Sequence, residues 1–127
     1  MEIFLGNLKK FLLYLNKGIN EKVGTIIGEK NNDVIESKII FPVKNILDSR
    51  TEFLADPFDM LVSHIVAENY SLQVVALYHT HPIGNPVPSI KDIAGMKLWP
   101  IPWLIISKNG IRAWILNENE VEEVKIT

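Results

Sequence analysis

The chain of 127 residues contains no cysteine. That excludes disulfides, thiolate metal ligands and a cysteine nucleophile, and it removes the Pro-Cys-x-x-Cys pair that a zinc nucleobase deaminase requires. There is no His-Glu-x-x-His segment, so the helical zinc site of zincin-type peptidases is excluded as well. Basic residues are not in excess: 13 Lys and Arg stand against 15 Asp and Glu, a net charge of -2. Such a balance offers no footprint for nucleic acid. No internal repeat or low-complexity tract is present. The apolar start from Met1 to Leu15 is broken by charged residues and has no small-residue cleavage site, so neither a signal peptide nor a membrane span is expected. Lack of cysteine is compatible with a reducing compartment, and a cytoplasmic location is the expectation.

Histidine is also scarce. Of three in the chain, two fall in the pentapeptide Tyr78-His79-Thr80-His81-Pro82. Seven residues separate His81 from Ser89-Ile90-Lys91-Asp92. A strand points residues i and i+2 to the same face. If the apolar run before His79 is a strand, both imidazoles leave its end on one side and can close on one metal ion. The loop from Pro82 to Pro88 is long enough to return the chain, which places Asp92 in the first turn of the next helix. Two imidazoles and one carboxylate make a catalytic type of zinc set, because the fourth tetrahedral position stays open. The same Ser89-x-x-Asp92 spacing also reads as a helix cap with an acid at its third position.

The length fits one domain covering residues 1–127, and 47% hydrophobic residues are enough for a core. Glu2 to Leu5 reads as a short strand. A helix follows, with Asn7 as N-cap, Leu8, Phe11, Leu12 and Leu15 as its apolar stripe, and Gly18 as its stop. The segment from Glu21 to Gly28 and that from Val34 to Val43 read as a hairpin around Asn31-Asn32-Asp33. Lys44 to Arg50 is a polar loop, and Thr51 to Ala55 a possible short strand. Asp56-Pro57 opens a second helix, with Phe58, Leu61, Val62 and Ile65 as its expected core stripe and His64 on the surface. Leu72 to Tyr78 reads as a central strand buried on both faces. A third helix runs from about Ile90 to Leu98 and stops before Pro100 and Pro102. Trp103 to Lys108 and Ile111 to Leu116 form a hairpin through Asn109-Gly110. Val121 to Ile126 is a last strand, expected at a sheet edge. Trp99, Trp103 and Trp114 are expected in the core. The whole reads as α/β or α+β, a mixed sheet with helices packed on it.

The glutamate, the paired histidines and the Ser-x-x-Asp segment, taken in order, resemble the JAMM (MPN-plus) metalloprotease family. Its pattern is a glutamate on an early strand, then His-Ser/Thr-His-Pro, then Ser-x-x-Asp. The residues here are Glu21, with Gly24 and Gly28 behind it, His79-Thr80-His81-Pro82, and Ser89-Ile90-Lys91-Asp92. Glu2, Glu29 and Glu36 are rivals to Glu21 on sequence alone; the spacing to the two glycines favours Glu21. The resemblance extends over nearly the whole chain. It implies a mixed sheet flanked by helices with cytidine-deaminase-like layering. It further implies one Zn2+ per chain, held by His79, His81 and Asp92, with Glu21 as general base and Ser89 as oxyanion donor. Thr80 would point away from the histidines and serve packing. The implied activity is isopeptidase hydrolysis between the C-terminal glycine of a ubiquitin-like modifier and a substrate lysine, of desampylase or deubiquitinase type. The region from Lys44 to Ala55 would border the groove for the modifier's tail. The alternatives are a processing peptidase for a ubiquitin-fold sulfur carrier, or a scaffold subunit that has lost catalysis. The short chain suggests an archaeal or bacterial member, acting as monomer or homodimer, with partners among ubiquitin-like proteins and their lysine-linked conjugates.

Overall fold

A computed structural model describes residues 1–127. The elements are β1 (Glu2–Phe4), α1 (Leu8–Leu15), β2 (Val23–Asn31), β3 (Val34–Val43), α2 (Pro57–Asn69), β4 (Gln73–Thr80), α3 (Ile90–Leu98), β5 (Trp103–Ser107), β6 (Gly110–Asn117) and β7 (Glu120–Ile126). The α+β class and the mixed sheet agree with the sequence reading. The strands run in the order β1-β3-β2-β4-β5-β6-β7, and the sheet closes into a barrel.

Closure corrects the expectation that the last strand lies at an edge. The short β1 pairs in parallel with both β3 and β7, so β7 has a neighbour on each side. An unpaired strand presents a row of free N–H and C=O groups, and β1 removes that row at the cost of three residues.

Two apolar clusters fill the molecule. Leu12 of α1 packs with Ile3, Ile26, Ile35, Tyr78, Leu104, Ile106 and Val124. On the other side of the sheet Met60 of α2 and Met96 of α3 pack with Val23, Val43, Leu77 and Trp103. The helices therefore sit on both sides of β4, whose residues from Val75 to Thr80 are all buried.

Several local expectations are corrected. The inward residues of α2 are Met60, Ser63 and Ala67; of the expected stripe Phe58, Leu61 and Ile65 are exposed and Val62 is half-buried. Both sets have helical spacing; the one with small residues lets the helix approach the sheet closely, and the bulkier one faces outward. Asp56 does cap α2, accepting from the Phe58 amide at 2.9 Å. Asn7 makes no side-chain cap, and α1 ends at Leu15 with Asn16 as C-cap, before Gly18. Thr51 to Ala55 is not a strand; only a single bridge joins Ala55 to Asn45. The β5–β6 turn is Lys108-Asn109, with Gly110 already paired to Ser107. No helix is long and apolar enough to cross a membrane.

Two glycines of β2 are required by close approach. A Cβ on Gly24 would collide with the Tyr78 ring, and one on Gly28 with the Glu36 carbonyl at the bulge between β2 and β3.

Candidate active site

The register of β2 against β4 explains why a residue near position 20 meets residues near position 80. Val23 pairs with His79 in antiparallel fashion. Two more hydrogen bonds carry the ladder past the end of β2: the Lys22 amide donates to Thr80 Oγ1 at 2.8 Å, and the Thr80 amide donates to the Lys22 carbonyl at 2.9 Å. Glu21 thus arrives opposite His81. Alternation puts Glu21, Val23, His79 and His81 on one face. Thr80 is turned away from the imidazoles and anchors the neighbour of Glu21.

Asp92 comes from the first turn of α3. Ser89 Oγ accepts from the Asp92 amide at 3.1 Å, and Asp92 Oδ2 accepts from the Ser89 amide at 2.9 Å. This capping box fixes the carboxylate's direction. Asp92 Oδ1 lies 3.2 Å from His79 Nε2, and Oδ2 lies 3.1 Å from His81 Nε2. The two Nε2 atoms are 3.0 Å apart. The cap and the histidine contact are therefore made by one side chain.

Glu21, His79 and His81 form a group able to hold a metal ion, with one ligand atom from each lying within 4.8 Å of the others. Asp92 is the nearer of the two carboxylates to the imidazoles. Glu21 is 6% exposed. Burial pushes its carboxyl up to about 7, the positive potential of His81 opposes the shift, and Asp92 adds to it. Burial also works to raise the Asp92 carboxyl, but hydrogen bonds from His79 and His81 outweigh it and hold the group well below the usual range.

The imidazoles are held differently. His79 is fully buried, with the Phe53 ring at 4.7 Å and the Trp103 ring edge-on at 5.7 Å. Burial lowers its pKa against the pull of Asp92. Its Nδ1 has no hydrogen-bond partner. His81 Nδ1 donates to the Asn85 carbonyl at 2.9 Å, so in the neutral ring Nε2 keeps its lone pair for the site. Burial would lower the His81 pKa, but the Asp92 hydrogen bond, the Asn85 carbonyl and the charges of Asp92 and Glu21 raise it.

A groove of about 660 Å³ leads to these residues. One wall is the segment after β3, with Leu47, Thr51, Glu52, Phe53 and Leu54; the other is α3, with Ser89, Lys91, Leu98 and Trp99. Glu52 and Lys91 form an ion pair across its mouth. Leu61 and His64 of α2 line it too, which accounts for part of that helix's outward apolar face. Of the three tryptophans, Trp103 is buried as expected, Trp114 is half-buried against the same cluster, and Trp99 is partly exposed in the groove.

Sequence reasoning singled out Glu21, His79, His81, Ser89 and Asp92; Glu21, Ser89 and Asp92 line the groove, and His79 and His81 meet it through Asp92. It placed Asn45 and Phe53 only within the groove-bordering region from Lys44 to Ala55, with no role of their own, and it missed Asn85. These act through loop geometry, for which no local residue pattern is diagnostic.

The site thus sets a buried His79 and a half-buried His81, at the end of a central strand of the barrel, against the carboxylates of Glu21 and Asp92, which line an apolar groove. Residues 14–117 match the family of prokaryotic homologs of the JAB domain, and the chain belongs to that family. It is 40% identical over 121 residues to the desampylase of Pyrococcus furiosus, covering 94% of this chain and 84% of that protein. It is 33% identical over 107 residues to a probable TtuB-protein conjugate cleaving protease of Thermus thermophilus, covering 84% and 68%. Among solved structures, a Desulfitobacterium hafniense protein has a TM-score of 0.85 at 21% identity, over 100% of this chain and 92% of that one. A JAB1/MPN domain protein from Archaeoglobus fulgidus has a TM-score of 0.59 at 20% identity, over 100% and 99%.

Proposed function

We propose that this protein is a zinc isopeptidase that cleaves conjugates of a ubiquitin-like modifier, at the bond between the modifier's terminal glycine and a substrate lysine. The observation that carries the reading is the convergence of His79 Nε2, His81 Nε2 and the Asp92 carboxylate, with separations of 3.0, 3.1 and 3.2 Å. Tetrahedral zinc with bonds of about 2.0–2.1 Å spaces its ligand atoms about 3.3 Å apart. With its Nδ1–H held by the Asn85 carbonyl, neutral His81 has Nε2 free as a donor, which suits such a set. The activities in the names of the two relatives support the substrate class.

Zinc, when bound, polarises the scissile carbonyl and lowers the pKa of water to about 7. Glu21 stands off from the three ligands and accepts the proton of the attacking water. Its raised pKa, about 7, matches that task. Water adds to the glycine carbonyl, the C–N bond to the lysine Nζ breaks, and Glu21 returns its proton to the leaving amine. The Ser89 hydroxyl, whose oxygen already accepts from the Asp92 amide, has its own proton free to donate to the developing oxyanion. The groove between the 47–54 segment and α3 receives the extended tail of the modifier, where a glycine-rich end passes most easily beside the histidines.

The test uses a ubiquitin-fold protein joined through its terminal glycine to a lysine. Zinc-loaded enzyme should release the intact modifier with a free glycine carboxylate, identified by mass. Chelator should stop the reaction and added zinc restore it. No release from several such conjugates by zinc-loaded protein would contradict the reading.

A further inference from the structure

The peptide of Glu21 lies outside the regular sheet, because the last β2–β3 pair is Val23 with Val43. What holds it on that side is the groove wall. The Glu21 amide donates to the Ser49 carbonyl at 2.7 Å. The Glu21 carbonyl accepts from Asn45 Nδ2 at 2.9 Å. The same Nδ2 donates to the Glu52 carbonyl at 3.2 Å, while Asn45 Oδ1 accepts from the Leu47 amide at 3.1 Å and the Leu54 amide at 3.0 Å. A carboxamide can donate twice and accept twice. Asn45 does all four, three times to the wall segment and once to Glu21.

We infer that Asn45 is a positioning residue that couples the groove wall to the Glu21 carboxylate, so that a substrate segment seated in the groove sets the general base. The inference rests on the reading of Glu21 as the base. Leu47, Thr51, Glu52, Phe53 and Leu54 touch whatever fills the groove. The backbone of Leu47, Glu52 and Leu54 is bonded through the Asn45 side chain to the peptide of Glu21, beside the direct bond from the Glu21 amide to Ser49. Phe53 of the same wall also packs on the His79 ring, so the wall bears on both halves of the site. On its far side the Glu21 segment is fixed to β4 through Lys22 and Thr80. Movement of the wall therefore reaches Glu21 through hydrogen bonds to its own peptide, and reaches β4 only through the Phe53 ring on His79.

Asn45→Asp separates the two duties. It keeps both acceptors for Leu47 and Leu54 and removes the donor to the Glu21 and Glu52 carbonyls, leaving a carboxylate against both oxygens. Steady-state cleavage of the glycine–lysine conjugate should show kcat lowered about 10- to 100-fold, the scale of loss when a catalytic group is misplaced. KM should stay within about threefold, and zinc content should equal that of the wild type. Wild-type kcat in Asn45→Asp overturns the inference, and so does a parallel loss of zinc, which would mark general disruption. If Asn45→Asp does not fold, Asn45→Ala decides: a fall in kcat with zinc retained supports the coupling, and a rise confined to KM overturns it. Glu21→Gln measured beside them separates the two claims. Activity in Glu21→Gln sinks the base assignment and the coupling together; an inactive Glu21→Gln with normal kcat in the Asn45 variants sinks the coupling alone.

Discussion

His81 Nδ1 donates to the main-chain carbonyl of Asn85 at 2.9 Å, across a loop that is itself tied to the β5–β6 hairpin. Asn109 Nδ2 donates to Asn85 Oδ1 at 2.8 Å, and Trp114 Nε1 donates to the Pro86 carbonyl at 2.9 Å. The tautomer of a histidine at the centre of the site thus depends on a turn nearly thirty residues away. Removing such outer partners commonly lowers metal affinity about 10- to 100-fold. Asn109→Ala should weaken zinc binding about 10-fold, at the low end of that range because it acts through Asn85. Competition against a chromophoric chelator measures it, and unchanged affinity would show that the loop holds itself.

The raised pKa of Glu21 has a consequence for stability in the presence of chelator. In the unfolded chain the group titrates near 4.5, and in the fold at about 7. Between these values the folded state binds more protons, so the protonated group's stabilisation is full below pH 4.5 and is lost as pH rises through 7. The loss is about 3 kcal/mol at most. Glu21→Gln removes the titrating group, so at pH 8 the metal-stripped variant should unfold at higher denaturant concentration than wild type. The gap should narrow towards pH 5. Equal midpoints at both pH values would mean that Glu21 is better solvated than its burial implies.

Ser89 carries two roles that substitution can separate. Glycine at an N-cap costs only a few tenths of a kcal/mol relative to serine. Loss of an oxyanion donor typically costs about 10²- to 10³-fold in kcat. Ser89→Gly should therefore leave thermal unfolding nearly unchanged and lower kcat by about two orders of magnitude. A normal kcat would reduce Ser89 to its cap.

Gly24 is set by the ring of Tyr78 across the β2–β4 ladder. Gly24→Ala should destabilise by about 1–3 kcal/mol through overpacking. Tyr78→Leu should relieve much of that in the double variant, a coupling that a double-mutant cycle in denaturant reads directly. Additive effects would indicate that the two residues do not meet.

The legible parts of this protein were those with a local cause. The Asp56-Pro57 start of α2, the buried run before His79 and the capping box at Ser89 each follow from residue chemistry at short range. The family pattern brought Glu21 to the histidines, and the β2–β4 register supplies the reason. What escaped was set at long range. Closure of the barrel depends on three residues of β1 meeting both β3 and β7, and nothing in Glu2–Phe4 announces two partners. On α2 the sequence offers Phe58, Leu61, Val62 and Ile65 as the more apolar stripe, yet Met60, Ser63 and Ala67 face inward. Close approach to the sheet favoured the smaller side chains. The segment from Thr51 to Ala55 was expected as a strand, yet the Leu47 and Leu54 amides and the Glu52 carbonyl are satisfied by the side chain of Asn45 in place of a ladder.

The central claim is that His79, His81 and Asp92 hold zinc while Glu21 moves the proton. The most direct measurement is zinc content and cleavage rate on the same preparation of Glu21→Gln, with wild type and Asp92→Ala alongside. The account predicts one zinc per chain in Glu21→Gln, as in wild type, with cleavage of the glycine–lysine bond lower by at least about a hundredfold. It predicts that Asp92→Ala loses the metal and the activity together. Zinc lost from Glu21→Gln but kept in Asp92→Ala would reverse the roles of the two carboxylates, and full activity in Glu21→Gln would contradict the mechanism.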